Sequence, residues 1–328
     1  MPRCSIVIPV HNWASLTRQC LDRLLSRPER VDAEIIVVDD ASDAITRDLL
    51  AAYGSSIRVV RHERNTGFAT ACNDGAAAAA AGAEYLVFLN NDTIAEPGWL
   101  DTLVRYADAR PTVAVVGSKL LFPGGTVQHA GVVVCQDGYP RHVYSGFPGD
   151  HPAVNKTRRF QIVTAACALV RRPLFDAAGG FDTTYRNGYE DVDLCLRLGA
   201  QGHEVHYCHE SVLYHLESLS RAERTAEYDH NDQLYRSRWA DRVRPDEFTY
   251  YLEDGLITVS HTYHYPMRLR ISPLLAVVEE HPVDRMDDLV DIRAKQVFNL
   301  VRENIRLMAR VREAELRNEV GAARSTRS

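Results

Sequence analysis

The sequence predicts an α/β fold with a mostly parallel central sheet flanked by helices. Over residues 5–92, short apolar runs rich in β-branched residues alternate with longer stretches of helical pattern. Each apolar run is followed by polar residues. Strands that alternate with helices along a chain lie parallel, because each helix carries the chain back across one face of the sheet.

Four strands are expected near the amino terminus, over residues 5–10, 34–40, 57–61 and 85–89. Helical patterns separate them, and the last of these, residues 69–83, is alanine-rich, which strongly favours helix. Further strands are expected over residues 113–170, broken by a Gly- and Pro-rich stretch at residues 138–152 that should form a loop near the site. Two more helices are expected at residues 172–178 and 191–199, each followed by glycines that end helices.

Composition and charge limit the classes of function. The chain has 328 residues, of which 45% are hydrophobic and 25% charged, close to the averages of soluble globular proteins. Its net charge of -6 argues against nucleic acid as a partner. The amino terminus lacks the features of a signal peptide, and no stretch approaches the roughly 20 apolar residues of a membrane span. We expect a cytoplasmic protein whose membrane contact, if present, is peripheral and at the inner face.

The pattern changes near residue 245, which predicts a domain over residues 1–244 and an extension over residues 245–328. Within the extension, residues 284–320 have the composition of one long charged helix. Four apolar residues form a seam along it, Val297, Val301, Met308 and Val311, and it is interrupted by Asn304 and Glu315. Two interpretations stay open, a helix packed on its own domain and a coiled coil that forms a homodimer.

Polar residues follow all four amino-terminal strands. They are His11-Asn12, Asp39-Asp40, Asn65-Thr66-Gly67 and Asn90-Asn91-Asp92. Ligands of open parallel sheets bind beyond the carboxyl ends of the strands. The four strand ends should therefore converge on one polar crevice.

Two groups of acids in this sequence could carry chemistry. Asp92 lies on a turn at a strand end, where its carboxylate could bind a divalent cation. A lone aspartate at a strand end is, however, more often a helix cap or a turn former. Glu190, Asp191 and Asp193 stand at the start of an amphipathic helix, where acids complement the helix dipole. One acid would suffice for that, so three favour a further role. Asp193 should point away from Asp191 and give support.

Eight segments, in order, resemble the family 2 glycosyltransferases of the GT-A fold. They are SIVIPVHN, VVDDAS, NTGFATACNDG, FLNNDT, QHAG, GGFD, GYEDVDLCLRL and YHLESLS. The resemblance covers about residues 4–220, and its nearest members are the rhamnosyl- and galactofuranosyltransferase-like enzymes of bacterial polysaccharides. It implies a metal-dependent, inverting transfer of a sugar from a UDP- or dTDP-sugar to a hydroxyl of a saccharide or glycolipid acceptor.

The resemblance also implies roles for individual residues on the donor side. Asp40 matches the acid that accepts a hydrogen bond from the donor base, as a carboxylate can from an imide N–H. The full set of nucleotide-sugar residues is Pro9, His11, Asn12, Asp40, Asn65, Gly67, Asn73, Asn90 and Asn91.

Asp92 and His215 match the metal ligands of the family. This sequence has Asn90 where the family's D-x-D motif has its first acid, so Asp92 must supply most of the negative charge. The cation is expected to be Mn²⁺ or Mg²⁺, and an imidazole ligand favours Mn²⁺.

Asp191 matches the family's catalytic base, and Glu190 is expected to bind acceptor hydroxyls or orient that base. Gln128, His129 and Trp99 would lie toward the acceptor, although Trp99 fits the core equally well. An aspartate with an ordinary pKa of about 3.9 is ionised at neutral pH and can take a proton from an attacking hydroxyl.

Three other functions compete with this interpretation. A sugar nucleotidyltransferase needs a glycine-rich basic loop after its first strand, and residues 9–16 contain no glycine, lysine or arginine. A dinucleotide oxidoreductase needs G-x-G-x-x-G there, which is also missing. Asn90 and the long carboxyl-terminal helix favour a catalytically silent sugar-binding or scaffolding subunit. The joint presence of Asp92, Asp191 and His215 opposes it.

Overall fold

The computed structural model describes residues 1–26, 29–216, 225–261 and 268–275. Residues 1–275 form one compact unit, so the boundary expected near residue 245 falls inside that unit. The expected helix at residues 284–320 and its apolar seam lie outside the described residues. Within the described part of the chain, no helix is long and apolar enough to cross a membrane.

A mixed, mostly parallel sheet organises this unit. Its eight main strands follow the spatial order β10-β12-β6-β11-β4-β1-β2-β3, and the short strands β5 and β7 pair with β12 and β6. Their bounds are β1 (Cys4–Val10), β2 (Ala33–Asp40), β3 (Arg58–His62), β4 (Tyr85–Leu89), β5 (Thr93–Ala95), β6 (Val113–Leu121), β7 (Val127–His129), β10 (Arg158–Phe160), β11 (Cys167–Arg171) and β12 (Glu204–His215).

The four amino-terminal strands are parallel, as predicted. β1 pairs in parallel with β2 and with β4, and β2 pairs in parallel with β3. Their carboxyl ends therefore meet at one edge of the sheet, which is the edge predicted to carry the polar crevice. β11 runs antiparallel between β4 and β6, so the sheet is not purely parallel.

Helices cover both faces of the sheet. They are α1 (Ala14–Ser26), α2 (Ala44–Ala52), α3 (Phe68–Ala77), α4 (Trp99–Asp108), α5 (Arg172–Ala177), α6 (Glu190–Ala200), α7 (Thr225–Trp239) and α8 (Glu247–Glu253). Along β1, Val7 belongs to one buried cluster while Ile6 and Ile8 belong to the other. Two buried faces explain why the strands are continuous apolar runs.

Helix α3 is shorter than its alanine-rich sequence predicts. The backbone of Ala80 is held by other parts of the fold, because its N–H donates to Glu34 and its carbonyl accepts from Arg172. These contacts end the helix before residue 80. Within α3, a Cβ on Gly75 would clash with the side chain of Val7, so only glycine allows the helix to pack this closely on the sheet.

Two further segments differ from the expectations. The stretch over residues 138–152 contains a strand, β9 (Pro140–His142), which pairs antiparallel with β8 (Val132–Val134). This pairing satisfies backbone groups that a loop would leave open. Beyond α8, β13 (Ile257–Ser260) and β14 (Arg268–Ile271) form a separate two-stranded sheet.

Candidate active site

Polar contacts tie the loops that follow β1 and β2 to each other. His11 Nδ1 lies 2.8 Å from the carbonyl oxygen of Asp40, and the Asn12 side-chain oxygen accepts a hydrogen bond from Asp43 N at 2.8 Å. Asn12 has a φ of 62°, a left-handed conformation that asparagine tolerates better than most residues. Pro9, His11 and Asn12 therefore lie at the predicted edge of the sheet.

The Asp40 carboxylate is buried and holds the loop after β3. Its oxygens accept hydrogen bonds from Thr66 N at 2.8 and 3.0 Å, from the Thr66 hydroxyl at 2.9 Å and from Gly67 N at 2.9 Å. His62 Nδ1 lies 2.8 Å away. Burial raises the pKa of the Asp40 carboxyl, but these contacts outweigh burial and hold the pKa below its ordinary value. The carboxylate is an anion that fixes residues 62–67.

Asn65 and Asn73 also hold loops around the crevice. Asn65 Oδ1 accepts a hydrogen bond from Gly67 N at 3.1 Å, and Gly67 has a φ of 86° that the turn into α3 requires. Asn73 exchanges two hydrogen bonds with the backbone of Phe181, at 2.8 and 2.9 Å. The direct contacts of Asp40, Asn65 and Asn73 with a donor nucleotide stay a prediction.

Asp92 and His215, the predicted metal ligands, face each other. Asp92 Oδ1 lies 3.0 Å from His215 Nε2. The backbone segments that carry these two residues are joined by a hydrogen bond from Leu216 N to the Asp92 carbonyl at 2.8 Å. Gln128 Oε1 lies 2.5 Å from His215 Nδ1, and Asn90 Nδ2 lies 3.3 Å from His215 Nε2. The second ring nitrogen of His215 is thus directed at the carboxylate.

This pair fits a divalent cation. Asp92 Oδ1 is buried, and no hydrogen bond of acceptable geometry reaches it from the described residues. A cation between such an oxygen and an imidazole nitrogen would satisfy both. Within the described chain, no third His, Cys, Asp or Glu joins them, so further ligands would have to come from water or from a bound molecule. Asn91 instead donates to the Thr17 hydroxyl at 2.8 Å.

Asp191 lies in the first turn of α6. Its Oδ2 accepts a hydrogen bond from Ala165 N at 3.0 Å, and its Oδ1 accepts one from Val192 N at 2.8 Å. Asp191 is half-buried, whereas Glu190 is 6% exposed and its Oε2 accepts from Gly188 N at 2.6 Å. Of these two carboxylates, a bound molecule can reach Asp191 more easily.

Asp193 has the supporting role that its position in the helix predicts. It is buried and forms an ion pair with Arg197 at 2.6 Å, and it accepts a hydrogen bond from Trp239 Nε1 at 3.0 Å. These contacts join α6 to α7.

One short segment is hydrogen-bonded both to Asp191 and to the strand end that precedes Asp92. Ala165 N donates to the Asp191 carboxylate, and the carbonyl of the next residue, Ala166, accepts a hydrogen bond from Asn90 N at 3.0 Å. Asn90 is two residues before Asp92. Two consecutive residues of this segment therefore bond to the predicted base and to the backbone of Asn90, two residues before the predicted metal ligand Asp92.

The three residues predicted near the acceptor have different surroundings. Gln128 is buried and contacts His215 directly. His129 is fully buried, and burial, followed by His142 and His215, holds its pKa well below the ordinary value. Trp99 is 2% exposed within a core cluster. Its burial favours the structural role over an acceptor contact.

Two asparagines that the sequence did not single out hold the loop before Asp191. Asn187 Oδ1 accepts a hydrogen bond from Phe68 N at 3.2 Å, which joins this loop to α3. Asn231 is 2% exposed and makes three hydrogen bonds, to Arg186 N, to the Arg186 carbonyl and to the Gly188 carbonyl, at 3.1, 2.7 and 2.9 Å. The Asn-Gly pair at residues 187–188 is a turn signal, but no sequence motif marks Asn231.

A cavity of about 640 Å³ lies away from these residues. Its lining includes Leu196 and Ala200 of α6, Val205 at the amino end of β12, and Trp239. None of the predicted site residues lines it.

Comparison with known proteins decides the family. A model described as glycosyl transferase family 2 matches residues 5–179, more than half of the chain. The chain belongs to glycosyltransferase family 2. This result confirms the resemblance found in the eight segments, and it makes the chain a member of an enzyme family that transfers glycosyl groups.

Two curated relatives of this family 2 chain are bacterial. It is 38% identical over 227 residues to the O-antigen biosynthesis protein RfbC of Myxococcus xanthus, an alignment that covers 67% of this chain and 18% of that protein. It is 30% identical over 205 residues to the pre-mycofactocin glycosyltransferase of Mycobacterium tuberculosis, covering 62% and 40%. The chain thus spans less than half the length of either relative.

A solved structure with the same fold is the mannosyltransferase PcManGT from Pyrobaculum calidifontis in complex with GDP-Man and Mn²⁺. The TM-score is 0.54 and the identity is 21%, over 77% of this chain and 69% of that chain. The likeness confirms the predicted α/β fold of the GT-A type.

Proposed function

We propose that this family 2 chain transfers a sugar from a nucleotide-diphosphate sugar to an acceptor hydroxyl with inversion at the anomeric carbon. The observation that carries the proposal is the link between Asp191 and the Asp92–His215 pair through residues 165 and 166. This link supports the proposal because one bonded segment connects a half-buried carboxylate to the strand end that carries a pair of side chains suited to a divalent cation.

Asp191 is the general base of this proposal. Its carboxylate is held by two backbone N–H groups, which leaves further lone pairs to accept the proton of the attacking hydroxyl. Attack from the side opposite the departing diphosphate inverts the anomeric carbon. Glu190 is buried against Gly188 N, and its role is to hold the start of α6, where Asp191 stands.

Asp92 and His215 hold the cation in this proposal, and Asn90 lies within reach of the same place. A divalent cation there would neutralise the charge that develops on the leaving diphosphate. Mn²⁺ suits the mixed oxygen and nitrogen ligands. The Mn²⁺ in the neighbouring structure supports the choice.

On the donor side, the Asp40-bound loop and α3 would receive a UDP- or dTDP-sugar. The acceptor would be a saccharide or glycolipid used in the assembly of a bacterial polysaccharide, which the O-antigen relative supports. A glycolipid acceptor would be held in a membrane, so the proposal includes peripheral contact with the inner membrane face.

The test is a calorimetric titration of UDP and dTDP, each with Mn²⁺ and with a chelator. Wild-type protein should bind one of the two nucleotides only when Mn²⁺ is present. Asp92→Ala should not show this Mn²⁺-dependent binding, because it lacks the anionic ligand of the cation. A panel of nucleotide-sugars would then identify the donor by Mn²⁺-dependent hydrolysis. Equal affinity with and without the chelator would reject the metal site, and absence of any hydrolysis would favour the silent subunit.

A further inference from the structure

Gln128 contacts the imidazole of His215 on the side away from Asp92. Its Oε1 lies 2.5 Å from His215 Nδ1. Both residues are buried, so water does not compete for this contact. The sequence had suggested an acceptor contact for Gln128, and the geometry gives its amide oxygen a different partner.

The contact decides where the imidazole carries its proton. An amide oxygen can only accept, so His215 Nδ1 must donate to Gln128. In neutral imidazole the other nitrogen, Nε2, then carries the lone pair. That nitrogen lies 3.0 Å from Asp92 Oδ1. Asn90 Nδ2, 3.3 Å away, can donate to the same lone pair until a cation takes it.

The sheet fixes both partners of the contact. Leu121 of β6 pairs with Val127 of β7 on one side and with Tyr214 of β12 on the other. Gln128 follows Val127 at an irregularity in the register between β6 and β7, and His215 is the last residue of β12. The two residues therefore lie on strands on either side of β6, and their side chains reach across it to within 2.5 Å.

We propose that Gln128 is a positioning residue that prepares His215 to bind a divalent cation through Nε2. The inference rests on the proposed function, because it assumes that Asp92 and His215 are the metal ligands. Without the amide oxygen, the buried His215 Nδ1–H would lose the acceptor that now holds it at 2.5 Å. The proton would then move to Nε2, where it bonds to Asp92 and occupies both ligand atoms. Partners of this kind typically contribute about 10- to 100-fold to metal affinity.

The experiment measures free Mn²⁺ by electron paramagnetic resonance during titration of the full chain. Gln128→Leu should bind Mn²⁺ about 10- to 100-fold more weakly than wild type. Gln128→Glu retains an acceptor at the same reach and should restore affinity to within a few-fold. If the leucine variant shows no cooperative thermal transition, Gln128→Met replaces it because its length is closer to that of glutamine.

Gln161→Leu is the matched control. Gln161 Nε2 donates to the Arg244 carbonyl and to Asp246, at 2.9 and 2.8 Å, which is a partly buried glutamine contact away from the metal pair. This variant should lose thermal stability and keep its Mn²⁺ affinity.

The outcomes separate this inference from the function on which it rests. Wild-type affinity in Gln128→Leu, together with lost affinity in Asp92→Ala, would overturn the role of Gln128 and leave the metal site standing. Equal losses in Gln128→Leu and Gln128→Glu would also overturn it, because the contact would then be structural. Unchanged Mn²⁺ binding in Asp92→Ala would overturn the metal site and this inference together.

Discussion

Replacing Asp191 by asparagine removes the proposed base and changes little else. The side chain keeps its size and its place in the first turn of α6. An amide has one acceptor oxygen where the carboxylate has two. The amide oxygen could accept from Ala165 N or from Val192 N, which the carboxylate binds at 3.0 and 2.8 Å, and its NH₂ group would turn toward the other.

These contacts give two separate magnitudes. One lost hydrogen bond should lower the free energy of unfolding by about 0.5–1.5 kcal/mol, or somewhat more if the amide N–H stays buried and unpaired. The loss of a general base should lower turnover about 10²- to 10⁴-fold. Converted at 1.36 kcal/mol per tenfold, that is about 3–5 kcal/mol of barrier, so destabilisation alone cannot account for it.

The assay is turnover with the donor identified by the nucleotide-sugar panel, together with donor affinity by calorimetry and a thermal melt. Asp191→Asn should keep donor affinity, because donor and metal contacts lie on other residues. Asp193→Asn is the control on the same helix. It loses the buried ion pair with Arg197 and keeps one oxygen to accept from Trp239, so its melting temperature should fall further while its turnover falls less.

Two results would refute this assignment. Near wild-type turnover in Asp191→Asn, with loss in Glu190→Gln, would make Glu190 the base. Loss of donor affinity in Asp191→Asn would give Asp191 a metal or structural role.

Three further predictions concern the loops and the carboxyl terminus. Asp40→Asn should weaken donor binding by about 1.5–3 kcal/mol, because an amide cannot satisfy the donors of residues 66–67. The folded-state pKa of Asp40 is depressed, so wild type gains stability above about pH 4 and loses it as the pH falls through the folded-state pKa. Thermal melts of the variant at several pH values should lack this pH-dependent stability. Asn231→Ala removes three hydrogen bonds and should cost about 1.5–4.5 kcal/mol of stability, with turnover falling more than donor affinity because the loop before Asp191 loosens. A chain truncated at Pro282 should sediment as a smaller species if residues 284–320 mediate self-association, with Asn304 setting the register.

Each of these has an outcome that contradicts it. Unchanged donor affinity and an unchanged acid limb in Asp40→Asn would mean that other groups hold the loop. An Asn231→Ala protein with reduced stability and full turnover would limit Asn231 to a structural role. An unchanged oligomeric state after truncation would reject self-association through that segment.

Local patterns determined much of the fold. The apolar runs predicted β1 to β4 to within a residue or two. For β1, β2 and β4 the reason is that strands buried on both faces must be largely apolar, whereas β3 is a mostly exposed edge strand. The same order of strands and helices predicted that Asp40, Asn65 and Asn90 would meet at one edge of the sheet. The lengths of α3 and of the stretch containing β9 were predicted less well, because Glu34, Arg172 and the partner strand β8 lie far away along the chain.

Sequence by itself determined which chemical groups this family 2 chain has: Asp92, His215 and Asp191, in motifs whose order is specific. Only the tertiary structure decided what surrounds them. In the folded chain, Gln128 contacts His215, Asn231 bonds to the loop before Asp191, and the Asp40 carboxylate bonds to residues 62–67. A hydrogen bond requires its two heavy atoms to lie about 3 Å apart. A local sequence pattern cannot predict which residues, far apart along the chain, the fold brings within that distance.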